Sequence, residues 1–181
     1  LVATQSLESL VSKNTAGDII PWLATTWSES ADGLSWDFTL KKNVTFTDGT
    51  DLTPEAIAAN VAHVQDPATG SSTGYLALQK VTAVTAVSAD VVRFTLSTPD
   101  SALLDSLSQP WLAIESATAL KRSQAANCES PVGTGPFVVK KWTHQQSISL
   151  VRNDASSSPP ADAAHTGSAY LKAIDCRFLP A

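Results

Sequence analysis

The side chains that most often do chemistry in proteins are few in this chain and far apart. The 181 residues include three histidines and two cysteines. The histidines do not form the His-Glu-x-x-His pattern, and the cysteines lack the spacing of a zinc site. Carboxylates are scattered, so spacing alone identifies no acid–base pair. The histidines are His63, His144 and His165, and the cysteines are Cys128 and Cys176.

These observations predict a protein that is not an enzyme and has no metal centre or cofactor. A small hydrolase whose site leaves no recognisable sequence pattern stays open as an alternative, and activity screening would test it.

One glycine-rich segment, Gly133-Thr134-Gly135-Pro136, resembles a phosphate-binding loop at first sight. A phosphate loop ends in Lys-Ser or Lys-Thr and leads into a helix, whose backbone N–H groups bind the phosphate. Here the proline leads instead into an alternating apolar stretch. We therefore interpret the segment as a tight turn in which the glycines supply backbone freedom.

The overall composition excludes several classes of partner. Apolar residues make up 43% of the chain, enough for a core, and the formal net charge is −5. A negative chain without basic clusters predicts no nucleic-acid or anionic-membrane surface. No run approaches the roughly 20 apolar residues that a membrane span needs.

The elements that would position any site are clearest between residues 32 and 66. Apolar residues alternate over 34–40 after an Asp-Gly turn, which is the period of a half-buried strand, and Val44 and Phe46 resume the alternation up to a second Asp-Gly turn. Thr53, with a proline and a glutamate after it, is a typical helix N-cap. The helix should end at Asp66, because the residue before a proline leaves the helical region.

Shorter patterns complete the chain. They predict strands at 81–87, 92–96, 136–142, 148–152 and 171–179; short helices at 1–10, 98–108 and 117–125; and loops at 66–74 and 154–168.

Five short motifs follow one another in a fixed order. They are Leu23-Ala24-Thr25-Thr26-Trp27; Asp32-Gly33 with Trp36, Phe38 and Leu40; Val44-Thr45-Phe46-Thr47-Asp48-Gly49 with Leu52-Thr53-Pro54-Glu55-Ala56-Ile57; Pro131-Val132-Gly133-Thr134-Gly135-Pro136-Phe137; and Val151-Arg152-Asn153. In order and rough spacing they resemble the motifs of the extracellular solute-binding proteins of peptide and nickel ABC importers, family 5. One departure is that 154–168 lacks the family's aromatic Asp-Tyr-Trp segment.

The resemblance implies a fold class and a domain organisation. The fold would be α+β, the N-terminal part of a type II periplasmic-binding-protein-like bilobal fold with mixed or antiparallel strands and short helices. Residues 1–128 would form the smaller subdomain of the first lobe, and 129–181 part of its main subdomain. Family members are several times longer than a single domain, so the second lobe would lie outside this chain. The start at Leu1, without a methionine or an apolar leader, predicts a mature or trimmed segment.

The resemblance also implies a function. The protein would be an extracytoplasmic, monomeric binding component that captures oligopeptides or similar small solutes and delivers them to a membrane ABC permease. It would reside in the periplasm or, as a lipoprotein, at the cell surface. Nickel chelates, oligosaccharides and opines are alternative ligands, and a non-transport interaction module is an alternative role.

Three candidate ligand-binding residues follow from the resemblance. Family members place an aromatic residue near the ligand in the region of Tyr75, and the segment containing Gln109 and Trp111 runs toward the cleft. The alternative role of Tyr75 is a loop anchor with its hydroxyl in water, and the alternative role of Trp111 is packing in the core.

The exported context of the family favours a disulfide between Cys128 and Cys176. It would tie the segment before Gly133 to the last strand and contribute roughly 4 kcal/mol by loop entropy. Two unpaired buried thiols are the alternative.

Overall fold

The computed structural model describes residues 2–156 and 158–179. Within them the strands form three sheets of two, four and three strands, and every strand pair is antiparallel. Helices are few and short. The predicted α+β class with antiparallel strands is therefore confirmed. The first residue of the predicted N-terminal helix, one residue of the predicted loop 154–168 and the last two residues of the chain lie outside the described range.

The four-stranded sheet forms the centre of the molecule, in the order β3-β4-β6-β5. Its inward-facing residues alternate with outward-facing ones, as predicted, and Phe38 and Phe94 are fully buried. Their rings meet edge to face, with centroids 5.3 Å apart, which is a favoured aromatic arrangement. The strands are β3 (Ala24–Glu29), β4 (Ser35–Leu40), β5 (Val81–Ala86) and β6 (Val91–Leu96).

Helix α1 (Pro54–Gln65) packs on β5 and β6 through buried Ile57 and Val61. The Thr53 hydroxyl accepts a hydrogen bond from the Ala56 N–H at 3.2 Å, which caps the helix as predicted. The helix ends where Asp66 turns to an extended conformation before proline.

Two smaller sheets flank this centre. One pairs β1 (Val11–Lys13) with β2 (Ile19–Pro21). The other has the order β7-β8-β9, from β7 (Phe137–Thr143), β8 (Ser147–Arg152) and β9 (Ala173–Arg177). Its three strands match the predicted ones. The expected subdomain boundary after residue 128 falls within helix α4 (Gln124–Glu129), and the division itself stays a prediction.

Several predicted elements are shorter than expected. Residues 1–10 were expected to form a helix; the described part contains only a 3-10 turn, Ala3–Gln5, because Glu8 forms a bridge with Ile114 and β1 follows. Val44 and Phe46 are buried, but they flank a single bridge, Thr45–Asp51, rather than lying in a strand. The tight turn at Asp48 and the start of α1 leave no length for one.

The short helices also lie at other positions in the chain than the sequence predicts. Where a loop was expected over 66–74, a 3-10 turn and helix α2 (Ser72–Leu78) occur. Helix α3 (Leu103–Leu107) begins late, because Lys80 binds the Pro99 carbonyl and faces the Asp100 carboxylate. Residues 117–125 give a 3-10 turn and then α4, separated by extended Arg122 and by Ser123, which caps α4.

Two further observations concern compartment and cross-linking. Among the described helices, none is both long and apolar enough to cross a bilayer. Both thiols are free, so the expected Cys128–Cys176 disulfide is absent from the structure. Cys128 is exposed on α4, which packs against β7, whereas Cys176 lies on β9, with β8 between β7 and β9.

Candidate functional site

Tyr75 lies on α2, with its side chain 48% exposed. The opposite face of this helix is buried at Gly74 and Leu78, one turn apart, so Tyr75 and Leu76 face outward. The structure thus places Tyr75 on a helix rather than in the expected loop. It contributes to the wall of an open cavity of about 320 Å³ between the end of α1 and the start of α2.

Trp111 is half exposed, at 45%, in a 3-10 turn (Pro110–Leu112). Its neighbour Leu112 is buried against α2: a Cβ built at Gly74 would lie 3.5 Å from Leu112 Cδ2. Helix α2 and the 3-10 turn therefore meet at Gly74 and Leu112, and Tyr75 and Trp111 are the chain neighbours of these two residues. We call Tyr75, Leu76 and Trp111, all exposed apolar residues on these adjoining elements, the aromatic face.

Gln109 is half-buried, and its side chain and its backbone carbonyl are both hydrogen-bonded within the protein. Its amide Nε2 donates to the Asp105 carbonyl at 3.3 Å, and its own carbonyl accepts a hydrogen bond from the Ser9 hydroxyl at 3.2 Å. These bonds fix the start of the Trp111 turn against the N-terminal segment. Gln109 thus holds the turn that carries Trp111, and its amide nitrogen is bonded to helix α3.

A second and larger cavity, of about 590 Å³, shares Asp66 with the first and is more polar. Its lining includes the carboxylates of Asp66 and Glu115, the guanidinium of Arg122 and the imidazole of His63. Burial raises the pKa of the Glu115 carboxyl, while the Val132 N–H, the Arg122 guanidinium and His63 oppose the shift. This cavity offers both signs of charge.

Glu115 was missed by sequence reasoning. The available signal was a carboxylate directly after the apolar run that ends at Ile114. Asn60 of α1 fixes its backbone: the amide Nδ2 donates to the Glu115 carbonyl at 2.7 Å, and Oδ1 accepts from the Glu115 N–H at 2.9 Å. The helix and the Trp111–Glu115 segment are thereby held in one register.

The chain contains one match to a serine-hydrolase pattern. Residues 70–74 read Gly-Ser-Ser-Thr-Gly, which fits Gly-x-Ser-x-Gly. That pattern works when a strand leads into the serine turn and a histidine binds the hydroxyl. Here a 3-10 turn precedes it, and within residues 2–156 and 158–179 no histidine is hydrogen-bonded to Ser72. The same described residues contain no group of three or more His, Cys, Asp or Glu placed to hold a metal ion.

Comparisons with known proteins agree with this architecture. The model of the family "Bacterial extracellular solute-binding proteins, family 5 Middle" matches residues 18–180. The nickel-binding periplasmic protein of Escherichia coli K12 is 32% identical over 149 residues, 81% of this chain and 28% of that protein. The probable D,D-dipeptide-binding periplasmic protein DdpA of the same organism is 32% identical over 84% of this chain and 31% of its own length.

Solved structures give the same result. AgaA of A. tumefaciens R10, in complex with agropinic acid, superposes with a TM-score of 0.83 at 27% identity, over 98% of this chain and 34% of that one. NikA from Brucella suis, in complex with Fe(III)-EDTA, superposes with a TM-score of 0.83 at 23% identity, over 99% of this chain and 35% of its own. The chain spans about a third of the length of these relatives. It belongs to the family 5 bacterial extracellular solute-binding proteins.

Proposed function

We propose that this chain is the N-terminal portion of an extracytoplasmic binding protein that captures an oligopeptide and delivers it to a membrane ABC permease. The observation that carries the proposal is the aromatic face, in which two large rings are half exposed and one of them, Tyr75, lines a cavity that adjoins a second and larger one. Exposed apolar patches with polar rims mark binding surfaces. The family consists of binding proteins, and we propose no catalytic role.

The chemistry of the face suits a peptide. Aromatic rings pack against apolar side chains, and the neighbouring cavity, with Glu115 and Arg122, offers both signs of charge to polar and charged groups. Tyr75 and Trp111 would supply apolar contacts, and Gln109 would hold the turn that carries Trp111. These roles are proposals for all three residues.

A nickel chelate is the second candidate ligand. One relative with 32% identity is named as nickel-binding. A flat organic chelate would stack on the half-exposed rings of Tyr75 and Trp111. Oligosaccharides and opines are further ligand classes that the same face could take.

The organisation of the whole protein is proposed from its relatives. Residues 1–128 and 129–181 would be two parts of a first lobe, and a second lobe, outside this chain, would close over the ligand by hinge motion. We propose a monomer in the periplasm or, as a lipoprotein, at the cell surface.

Titration calorimetry of the longer protein that carries this chain tests the proposal. An oligopeptide library, Ni(II) with histidine, and an oligosaccharide set would be titrated in parallel. Saturable heat with a peptide supports the assignment. Heat from the nickel complex or a sugar alone would replace peptide as the ligand class, and turnover of a peptide would contradict a binding protein.

A further inference from the structure

A separate cavity of about 350 Å³ lies against the loop between β8 and β9. It shares no lining residue with the cavity beside Tyr75 or with the more polar cavity at Glu115. Flat or apolar groups form much of its wall, and one carboxylate reaches it. These groups are Trp22, Pro136, Pro159, Pro160, His165 and Glu8.

Glu8 is the unusual member of this wall, because its residue is only 1% exposed. Its Oε2 accepts hydrogen bonds from the hydroxyls of Thr134, at 2.6 Å, and Ser158. These two hydroxyls lie on the side of the carboxylate that faces the turn at 133–135 and the loop between β8 and β9. The Trp22 indole N–H lies close enough to favour the ionised form, yet it has no partner at hydrogen-bonding distance.

The nearby basic side chains, Lys41 and His165, bond to other groups. The Lys41 ammonium donates to the Pro159 carbonyl at 3.1 Å and forms no ion pair with Glu8. It acts on Glu8 at longer range, through its charge. The His165 ring is stacked on Tyr170, and its Nε2 contacts the Ser168 carbonyl. Burial therefore raises the pKa of Glu8, since little charge compensates it.

A buried carboxylate that lines a cavity together with an indole ring and prolines has the features of a site for an organic cation. An ammonium group would donate to Glu8, which relieves the cost of the buried charge. Its alkyl part would pack on the prolines, and the Trp22 ring would attract the positive charge. We propose that this cavity is a second binding site, for a small alkylammonium ion, with Glu8 as the anionic group and Trp22 with the prolines as the apolar wall.

Nuclear magnetic resonance of the 181-residue chain tests the site directly. The indole N–H resonance of Trp22, assigned with a Trp22→Phe variant, reports on the cavity. The probe is n-butylammonium chloride up to about 100 mM, because a ligand of this size reaches roughly millimolar affinity. n-Butanol is the neutral probe of matched shape, and sodium chloride controls for ionic strength. A saturable shift with the ammonium alone is expected.

Two variants separate binding from folding. Glu8→Gln keeps the side-chain shape and removes the charge, and it should weaken butylammonium binding by at least about tenfold. Ala169→Phe fills the cavity from the loop side with Glu8 intact, and it should abolish the shift even if Glu8→Gln fails to fold. Ala164→Phe, in the same loop but outside the lining, is the matched control and should bind normally.

Three results would overturn the proposal. The first is an equal shift with n-butanol, which would mean a purely apolar pocket. The second is no saturable shift over the whole concentration range. The third is butylammonium binding that persists in Ala169→Phe, which would place the ligand elsewhere. Each outcome is independent of peptide binding at the aromatic face, because the two sites share no residue.

Discussion

The hydroxyl of Thr134 donates a 2.6 Å hydrogen bond to Oε2 of Glu8, which lies 126 residues earlier in the chain. Both residues are buried. Around this bond the turn at 133–135 packs on the N-terminal segment: the Gly135 N–H donates to the Ser6 carbonyl at 3.1 Å, and the Ile114 N–H donates to the Glu8 carbonyl at 2.8 Å. The bond thus joins the N-terminal segment, which also bridges to Ile114, to the entry to β7.

The buried carboxyl of Glu8 should make stability depend on pH. Its folded pKa is raised above the ordinary value of about 4.5, chiefly because burial removes water from the carboxylate. Between that value and the raised pKa the folded chain binds more protons than the unfolded chain, so the free energy of unfolding falls as pH rises through this window. Glu8→Gln removes this titration. Urea unfolding at several pH values should show that the free energy of unfolding of the variant rises relative to that of the wild type as pH rises.

Glu115 titrates in the same sense, so the comparison must be made between variants. Glu115→Gln is the parallel control, and its own pH dependence should differ from the wild type independently of Glu8. A Glu8→Gln variant whose stability relative to wild type stayed constant over the window would contradict the prediction.

The turn at Gly133 should not accept any side chain. A Cβ there would lie 2.0 Å from the Ser6 carbonyl oxygen, a backbone atom that other bonds hold in place. Gly133→Ala should therefore destabilise the chain by roughly 3 kcal/mol or more. Gly167→Ala is the control: its φ of +95° is strained for alanine, but nothing lies within 4 Å of the new Cβ. It should cost about 1 kcal/mol, and equal losses in the two variants would refute a steric cause.

Asp37 and Arg93 form a cross-strand pair on the outer side of β4 and β6. Two guanidinium N–H groups donate to the two carboxylate oxygens at 2.6 Å each, and the residues are register partners. The hydrogen bonds from Arg93 lower the pKa of Asp37 below its ordinary value of about 3.8. Its contribution to stability is present above that value and is lost as pH falls through the folded pKa.

A double-mutant cycle with Asp37→Asn and Arg93→Gln measures the pair. The coupling should be stabilising at neutral pH, smaller in molar salt because exposed charges are screened, and absent once Asp37 is protonated. A coupling that ignored both salt and pH would show that packing, rather than charge, joins these side chains.

Asn60 should stabilise the candidate site indirectly, because it holds the backbone of Glu115, which lines the polar cavity. It is 8% exposed and satisfies both backbone groups of Glu115. Asn60→Ala leaves those groups unpaired and should cost about 3 kcal/mol. Asn127→Ala, on the wall of the same polar cavity but without such bonds, is the control. A loss near zero for Asn60→Ala would mean that water replaces the amide.

The aromatic face yields a prediction about affinity. In the longer protein, Tyr75→Ala and Trp111→Ala should each weaken ligand binding about tenfold or more, because buried aromatic contacts dominate interfaces. Tyr75→Phe should retain most of the affinity if the ring, rather than the hydroxyl, binds. Tyr170→Ala, an exposed tyrosine far along the chain, is the matched control. Unchanged calorimetric affinity in both alanine variants would remove the face from the ligand site.

Sequence periodicity predicted the elements that bury one clear face. β4 and β6 alternate strictly, and Thr53 marks the start of α1, so these were predicted nearly to the residue. The ordered motifs also predicted the family. Helix α2 was not found, because its Gly-Ser-Ser-Thr start reads as a loop and its stability comes from packing of Gly74 against Val64 and Leu112.

Sequence patterns also could not show which candidate residues lie together or are buried. Tyr75 and Trp111 were identified by resemblance, and only tertiary packing shows that their elements adjoin. Glu8 and Glu115 look like ordinary surface carboxylates in the sequence. Their burial depends on partners such as Thr134 and Val132, more than a dozen residues away in the chain, which no local pattern reveals.

The carboxylate near the start of the chain depends on hydroxyls at 134 and 158. During synthesis the ribosome releases Glu8 long before either partner. The segment around Glu8 therefore lacks both partners until Thr134 has been translated, and it lacks the second until Ser158 has followed. Its docking is then a late event in folding, set by the arrival of distant residues rather than by local structure.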